Sequence, residues 1–318
     1  MNRAVAVILG SVAVAALAAL WAGVPLDWTT WSDPQSVAHR ILFELRLPRL
    51  VFVFLCGASL AAVGCCYQIL FHNPLAEPYL LGVSSAATLG IAVAETLGGI
   101  AATSLLSQAI GLACAAVVTL ALGALVLSQV GQQTERVALF GLGINFVLSS
   151  ALFLFLSYQS QQLGGGSLRW LFGQIPWVSA EQTGRFSLGA LAILAALLLG
   201  ARSLDALSFG DGVAKTLGVN PTRARVLFLA LTSTLVAWMV SFTGSIGFVG
   251  LVVPHFTRLA FHPSSSRSLL AIGLPLGGAF LLFSDALSRA VLPPMEFPIG
   301  VITTLIGGPL FLVLLWRR

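Results

Sequence analysis

Charge is what this 318-residue chain has least of: Asp, Glu, Lys and Arg together make up only 8% of it. Soluble domains average about 25%, so the chain cannot clothe itself in a polar surface. With 58% hydrophobic residues and a mean hydropathy of +0.97 it reads as a polytopic membrane protein. No GxxxxGK[ST] loop occurs, which excludes ATP hydrolysis by the chain alone. Serine–histidine–aspartate arrangements and carboxylates paired close in sequence are also missing, which makes an enzyme the weakest functional class. The four cysteines, Cys56, Cys65, Cys66 and Cys114, lie in apolar runs without CxxC or Cys/His spacing, so they read as small packing residues and not as metal ligands. A net charge of +5 does not point to nucleic acid, because the basic residues stand at the ends of apolar runs, where they orient helices and reach headgroups.

What the chain does have is a series of long apolar segments. The first runs from Ala4 to Val24 and is too long for a signal-peptide core. A polar, tryptophan-bearing stretch, Asp27 to Glu44, follows as an interfacial segment. The stretch Arg46 to Gly82 comes next, with two arginines flanking Pro48, a span from Pro48 to Phe71, and a turn at His72–Asn73–Pro74. Further spans are expected near 82–100, 105–127, 137–158, 186–201, 226–242, 248–261 and 269–291, with one more closing the chain. SLRWLFGQIPW, between the fifth and sixth, reads as a short interfacial helix. This is an all-α fold, one transmembrane domain over residues 1–318 with about ten crossings and both termini on the inner side. In that orientation ten basic residues fall inside and six outside, in the direction of the positive-inside bias. The longest polar interruption, Arg202 to Arg225, lies inside.

Four motifs carry a family resemblance, in order along the chain: RLPR with NPLAEPYLLGVS, then GVAKTLGV, then GSIGFVGLVVPHFTRL, then FPIGVITTLIGGPLFLVLL. Together they resemble the FecCD-type permeases, the membrane subunits of ABC importers for vitamin B12, iron–siderophores and haem. The resemblance covers Arg46 to the C-terminus and implies a type II ABC importer permease fold in a bacterial inner membrane. It implies a second permease copy, two ATPase subunits carrying ATP and Mg, and a periplasmic substrate-binding protein, with no cofactor or metal held by this chain.

The resemblance also implies site roles. Arg46, Arg49 and Arg289 match outer arginines that dock glutamates of the binding protein, as exposed guanidiniums suit carboxylates; Asp285, four residues before Arg289, is placed to aim it. Residues 202–225 match the loop of two short helices that engages the ATPase. Within it Leu217, Gly218 and Val219 carry the match, with Gly218 supplying a left-handed turn between the helices and Asp211–Lys215 forming an i,i+4 pair. Asn73 and Leu75 match the cytoplasmic gate. Thr134 and Glu135 match a second part of it, where two ionised Glu135 carboxylates would repel across a dimer axis. Arg169 stands near the expected pathway as either an anchor or a contact to anionic cargo. Glu95 is an ionisable group within a span, read as a packing residue, and His255 is read as structural.

The expected function is alternating access for a metal chelate, an iron–siderophore first and cobalamin or haem as alternatives. A full switch between states takes about 5.5 kcal/mol of differential binding, within reach of ATP and docking energies. An ion-driven secondary transporter is the rival class. Scarce intramembrane carboxylates and the lack of evident inverted repeats stand against it.

Overall fold

Twenty-odd apolar residues without charge leave a helix as the only economical way to satisfy backbone groups in lipid. The computed structural model, which describes residues 2–22, 32–33, 35–99, 104–128, 134–163, 171–291 and 295–316, is built from such helices. They are α1 (Asn2–Trp21), α2 (Val37–Arg40), α3 (Leu47–Leu70), α4 (Val83–Gly98), α5 (Leu105–Leu127), α6 (Thr134–Leu163) and α7 (Ala180–Leu199). After these come α8 (Ala201–Ser208), α9 (Asp211–Thr216), α10 (Pro221–Thr243), α11 (Val249–Phe261), α12 (Ser266–Ala290) and α13 (Ile299–Trp316). Six described helical stretches are long and apolar enough to cross a membrane, and four shorter apolar helices accompany them. They fall on the ten expected runs.

The start of the second expected span is corrected. Helix continues from Val37 to Leu70, where an interfacial segment was expected up to Glu44 and a start at Pro48. A π-helical turn at Ile41–Arg46 precedes the proline. The wider turn relieves the clash that proline makes with the carbonyl four residues earlier, so the helix runs through it. Of SLRWLFGQIPW, expected as a short helix, residues 167–170 lie outside the described residues, and 171–177 form one 3-10 turn followed by irregular chain. Gly173 (φ +66°) brings that chain against the Ser245 carbonyl, and Gln174 N–H donates to Thr243 O at 2.7 Å.

The core is organised around α3, which packs against α12, α11, α7 and α10. Glycines set these crossings: Gly57 meets the backbone of Gly277 on α12, and Gly64 meets that of Gly250 on α11. Small residues let helix backbones approach when no hydrophobic force separates protein from lipid. Above the crossings, Phe52 packs on Phe186 and Phe242, with centroids 4.7 and 5.6 Å away. Cys56, Cys65 and Cys66 are fully buried in the same helix, in keeping with a packing role.

Pro254 has no N–H to offer the Gly250 carbonyl one turn earlier in α11. Gln68 of α3 fills that vacancy, with Nε2 3.3 Å from both Gly250 O and Leu251 O. Arg258 Nη1 in turn donates to Gln68 Oε1. His255 is buried, 6.0 Å from the Phe311 ring, and among the described residues no His/Cys/Asp/Glu cluster could hold a metal. Glu95, expected as a packing residue, is exposed near the end of α4.

Candidate functional site

At one end of the bundle three arginines converge with two carboxylates. Arg49, in the first turn of α3, is 2% exposed. Its Nη2 lies 2.9 Å from Asp285 Oδ1 on α12 and 2.9 Å from Glu296 Oε2, while Nη1 reaches Glu296 Oε1 at 3.2 Å. The Trp177 ring covers its other face at 4.4 Å, a cation–π contact. Arg289 donates from Nε to Asp285 Oδ2 at 3.1 Å, from Nη1 to Ala22 O at 3.0 Å and from Nη2 to Ala19 O at 2.7 Å. Arg46 Nη1 donates to Leu20 O. Two guanidiniums thus cap the carbonyl end of α1, where backbone acceptors lack intrahelical partners and the helix dipole is negative.

The expected Asp285–Arg289 pair is present. The expected exposure is not: Arg46, Arg49 and Arg289 are all buried. Each has carboxylate or carbonyl acceptors supplied by this chain, and desolvating a guanidinium without such acceptors would be prohibitive. Glu296, which stands between Pro293 and Pro298, has no expected role in the sequence. The signal available was a lone carboxylate beside a surplus of arginines at the same end.

At the other end, α8 and α9 form the two short helices expected within 202–225. Their turn is made by Gly210 (φ +94°), not by Gly218. Gly218 (φ +79°) instead ends α9 before α10. Val219 N–H reaches back to Ala214 O at 2.9 Å and Gly218 N–H to Lys215 O at 3.0 Å, the paired bonds of a Schellman cap. Asn220 then caps α10 through Arg223 N–H at 3.1 Å, with Pro221 in the first turn. The expected Asp211–Lys215 pair is replaced: Asp211 takes a bidentate bond from Arg225 of α10 at 2.9 and 2.6 Å. Planar, bidentate pairing and a buried guanidinium favour Arg225 over the exposed, flexible Lys215. Phe209, Val213 and Leu217 are exposed on this unit, at 70, 45 and 62%.

At the same end, Asn73 Oδ1 accepts Leu75 N–H at 2.9 Å, an Asx turn that leaves Leu75 exposed. A cavity of about 350 Å³ separates this turn from Ala138, Leu139 and Leu142 of α6. Further along, Glu77 accepts Phe248 N–H at 3.3 Å and Tyr79 Oη accepts Ile246 N–H, pinning the chain that enters α11. Phe248 there is left-handed (φ +69°) and packs on Gly307 of α13. Thr134 and Glu135 open α6, and their side chains lie outside the described residues, as does Arg169.

The chain resembles curated proteins over most of its length. It is 36% identical to the uncharacterized ABC transporter permease YvrB of Bacillus subtilis, over 90% of this chain and 81% of that one. It is 35% identical to the vitamin B12 import system permease BtuC of Vibrio cholerae, with 92% and 86% covered. To the hemin transport system permease HmuU of Yersinia pestis it is 36% identical, with 91% and 87% covered. Among solved structures, one described as an inward-facing metal-chelate type ABC transporter superposes with a TM-score of 0.87 at 27% identity, covering all of both chains. The profile of the FecCD transport family matches residues 4–317, and the chain belongs to that family.

Proposed function

We propose that this chain is the permease subunit of an ATP-driven, binding-protein-dependent importer for a metal chelate. An iron–siderophore is the favoured cargo, with cobalamin or haem as alternatives. Two copies pair with the pathway on their two-fold axis. Two ATPase subunits engage α8 and α9 on the cytoplasmic side, which also holds both termini, and a periplasmic binding protein docks at the arginine end. The observation that carries this reading is the exposure of Phe209, Val213 and Leu217 on a polar inner connection. Large apolar side chains clustered outside a membrane-sized helix mark a protein-docking surface. Support for the cargo class comes from relatives named for vitamin B12, hemin and iron chelatin transport.

Asn73 and Leu75, presented by the Asx turn, serve as the cytoplasmic gate across the two-fold axis, with Thr134 and Glu135 beside them. The outer cluster sets three arginines against Asp285 and Glu296, leaving a positive charge suited to a glutamate-bearing partner. Because Arg49 is already held by Glu296, docking on Arg49 proceeds by exchange of one carboxylate for another. The test is reconstitution in sealed vesicles with ATPase and binding protein. Uptake of the chelate is expected only with both companions and hydrolysable ATP. Accumulation by the purified chain alone, driven by an ion gradient, would place it with secondary transporters and overturn the reading.

A further inference from the structure

Three polar links fasten α8 and α9 to the spanning helices. Asp211 is tied to Arg225 of α10, as described. His72, just past the inner end of α3 and itself left-handed (φ +48°), places Nε2 3.2 Å from the Leu207 carbonyl of α8. Asp205 of α8 accepts the backbone N–H of Ser266, the first residue of α12, at 2.6 Å.

That last bond is unusual in its origin. The start of α12 already has a complete capping box. Ser265 Oγ accepts Ser268 N–H at 3.2 Å, and Ser268 Oγ accepts Ser265 N–H at 3.1 Å. Asp205 supplies one more acceptor, from a different element, to a donor that a helix start leaves over. A carboxylate there also meets the positive end of the α12 dipole, which makes the bond charge-assisted. Local helix formation did not require it; what the bond adds is a joint between α8 and α12.

The joint sits at one end of a closed frame. α3 and α12 cross with backbones touching at Gly57 and Gly277, and Arg49–Asp285 fastens them at the outer end. At the inner end, α8 holds α3 through His72 and α12 through Asp205. We infer that Asp205 is the positioning residue that makes α12 follow α8, so that displacement of the inner helix pair reaches the outer arginine cluster through α12. This rests on the reading of α8 and α9 as the ATPase-contacting unit.

The joint can be cut from either side. Asp205→Ala removes the acceptor. Ser266→Pro removes the donor at a first helical position, where proline is tolerated. The residue before it, Ser265, already has the extended backbone that a following proline demands. In the reconstituted full complex, each variant is expected to retain assembly and ATPase activity while cargo moved per ATP falls roughly tenfold, a coupling loss in the ordinary allosteric range. The double variant is expected to be no worse than either single one, since both delete the same bond. Wild-type cargo per ATP in both singles, losses that multiply in the double, or failure to assemble with the ATPase would each overturn the inference. A failure of the importer reading itself shows separately, as uptake by the unmutated chain without an ATPase.

Discussion

Arg49 and Asp285 lie 236 residues apart in sequence and meet at 2.9 Å, both side chains at most 3% exposed. Asp285 also binds Arg289, so one carboxylate serves two guanidiniums from two helices. Removing it would leave Arg49 to Glu296 alone and Arg289 to backbone carbonyls alone, two buried cations each short of a carboxylate, which is far more costly than never having buried them. Asp285→Ala is therefore expected to destabilise the detergent-solubilised protein by about 3–5 kcal/mol, read as a large fall in the thermal unfolding midpoint. A midpoint within a degree or two of wild type would show that water or Glu296 replaces the lost carboxylate.

The glycine crossings make a sharper prediction, because two glycines facing their neighbours across α3 differ. A Cβ at Gly64 would run into the Gly250 carbonyl of α11, a backbone atom that no rotamer change can move. A Cβ at Gly273 would find only Cys65 Sγ at 3.6 Å and Thr257 Oγ1 at 3.9 Å, which is ordinary contact. Gly64→Ala is expected to force α3 and α11 apart at a cost of about 1–3 kcal/mol or more, and Gly273→Ala to be neutral or mildly stabilising. Comparison of the two midpoints decides it; equal effects would mean that α3 and α11 do not touch in this way.

Much of this was legible in the chain, for stated reasons. Apolar runs fix the number and approximate ends of membrane helices, since lipid offers backbone groups no alternative partner. The short-helix unit within residues 202–225 was legible only through the family resemblance of the GVAKTLGV stretch, and its turn glycine was not. Side-chain partners were less legible. Arg225 outcompetes Lys215 for Asp211 only because α10 folds back over α9, a long-range fact with no local trace. The burial of Arg46 and Arg49 depends on α1 and on residue 296 returning to the same end of the bundle. The run of helix through Pro48 depends on a π turn that no periodicity announces.

Thiol access tests the placement of α3 cheaply. Cys56, Cys65 and Cys66 have no solvent-exposed surface, while Cys114 on α5 is partly exposed. A maleimide is expected to modify at most one thiol in the native protein and all four after denaturation. Cys114→Ser should abolish the native reaction. Rapid native modification of that variant would mean that α3 is not central.

The last prediction concerns Glu296 and the proposed outer dock. Its carboxylate forms both bonds of a fork with Arg49, yet 29% of its side chain is exposed, so it stands between Arg49 and the outside. The segment behind it is anchored: Ser288 Oγ donates to Phe297 O at 2.9 Å and Phe297 N–H to Ser288 O at 3.2 Å. The carboxylate can therefore swing away without the chain unravelling. Glu296→Gln keeps the shape and an acceptor oxygen but removes the charge competing with an incoming glutamate. Binding-protein affinity in nanodiscs is expected to rise about threefold to tenfold at low salt and to converge on wild type as salt screens the cluster. Glu181→Gln is the control for net charge. The Glu181 side chain is 81% exposed in a loose 3.8 Å pair with Arg185, so its loss should change little. Weaker docking by Glu296→Gln, with its thermal midpoint unchanged, would show that Glu296 presents the outer face to the binding protein instead of occupying its place.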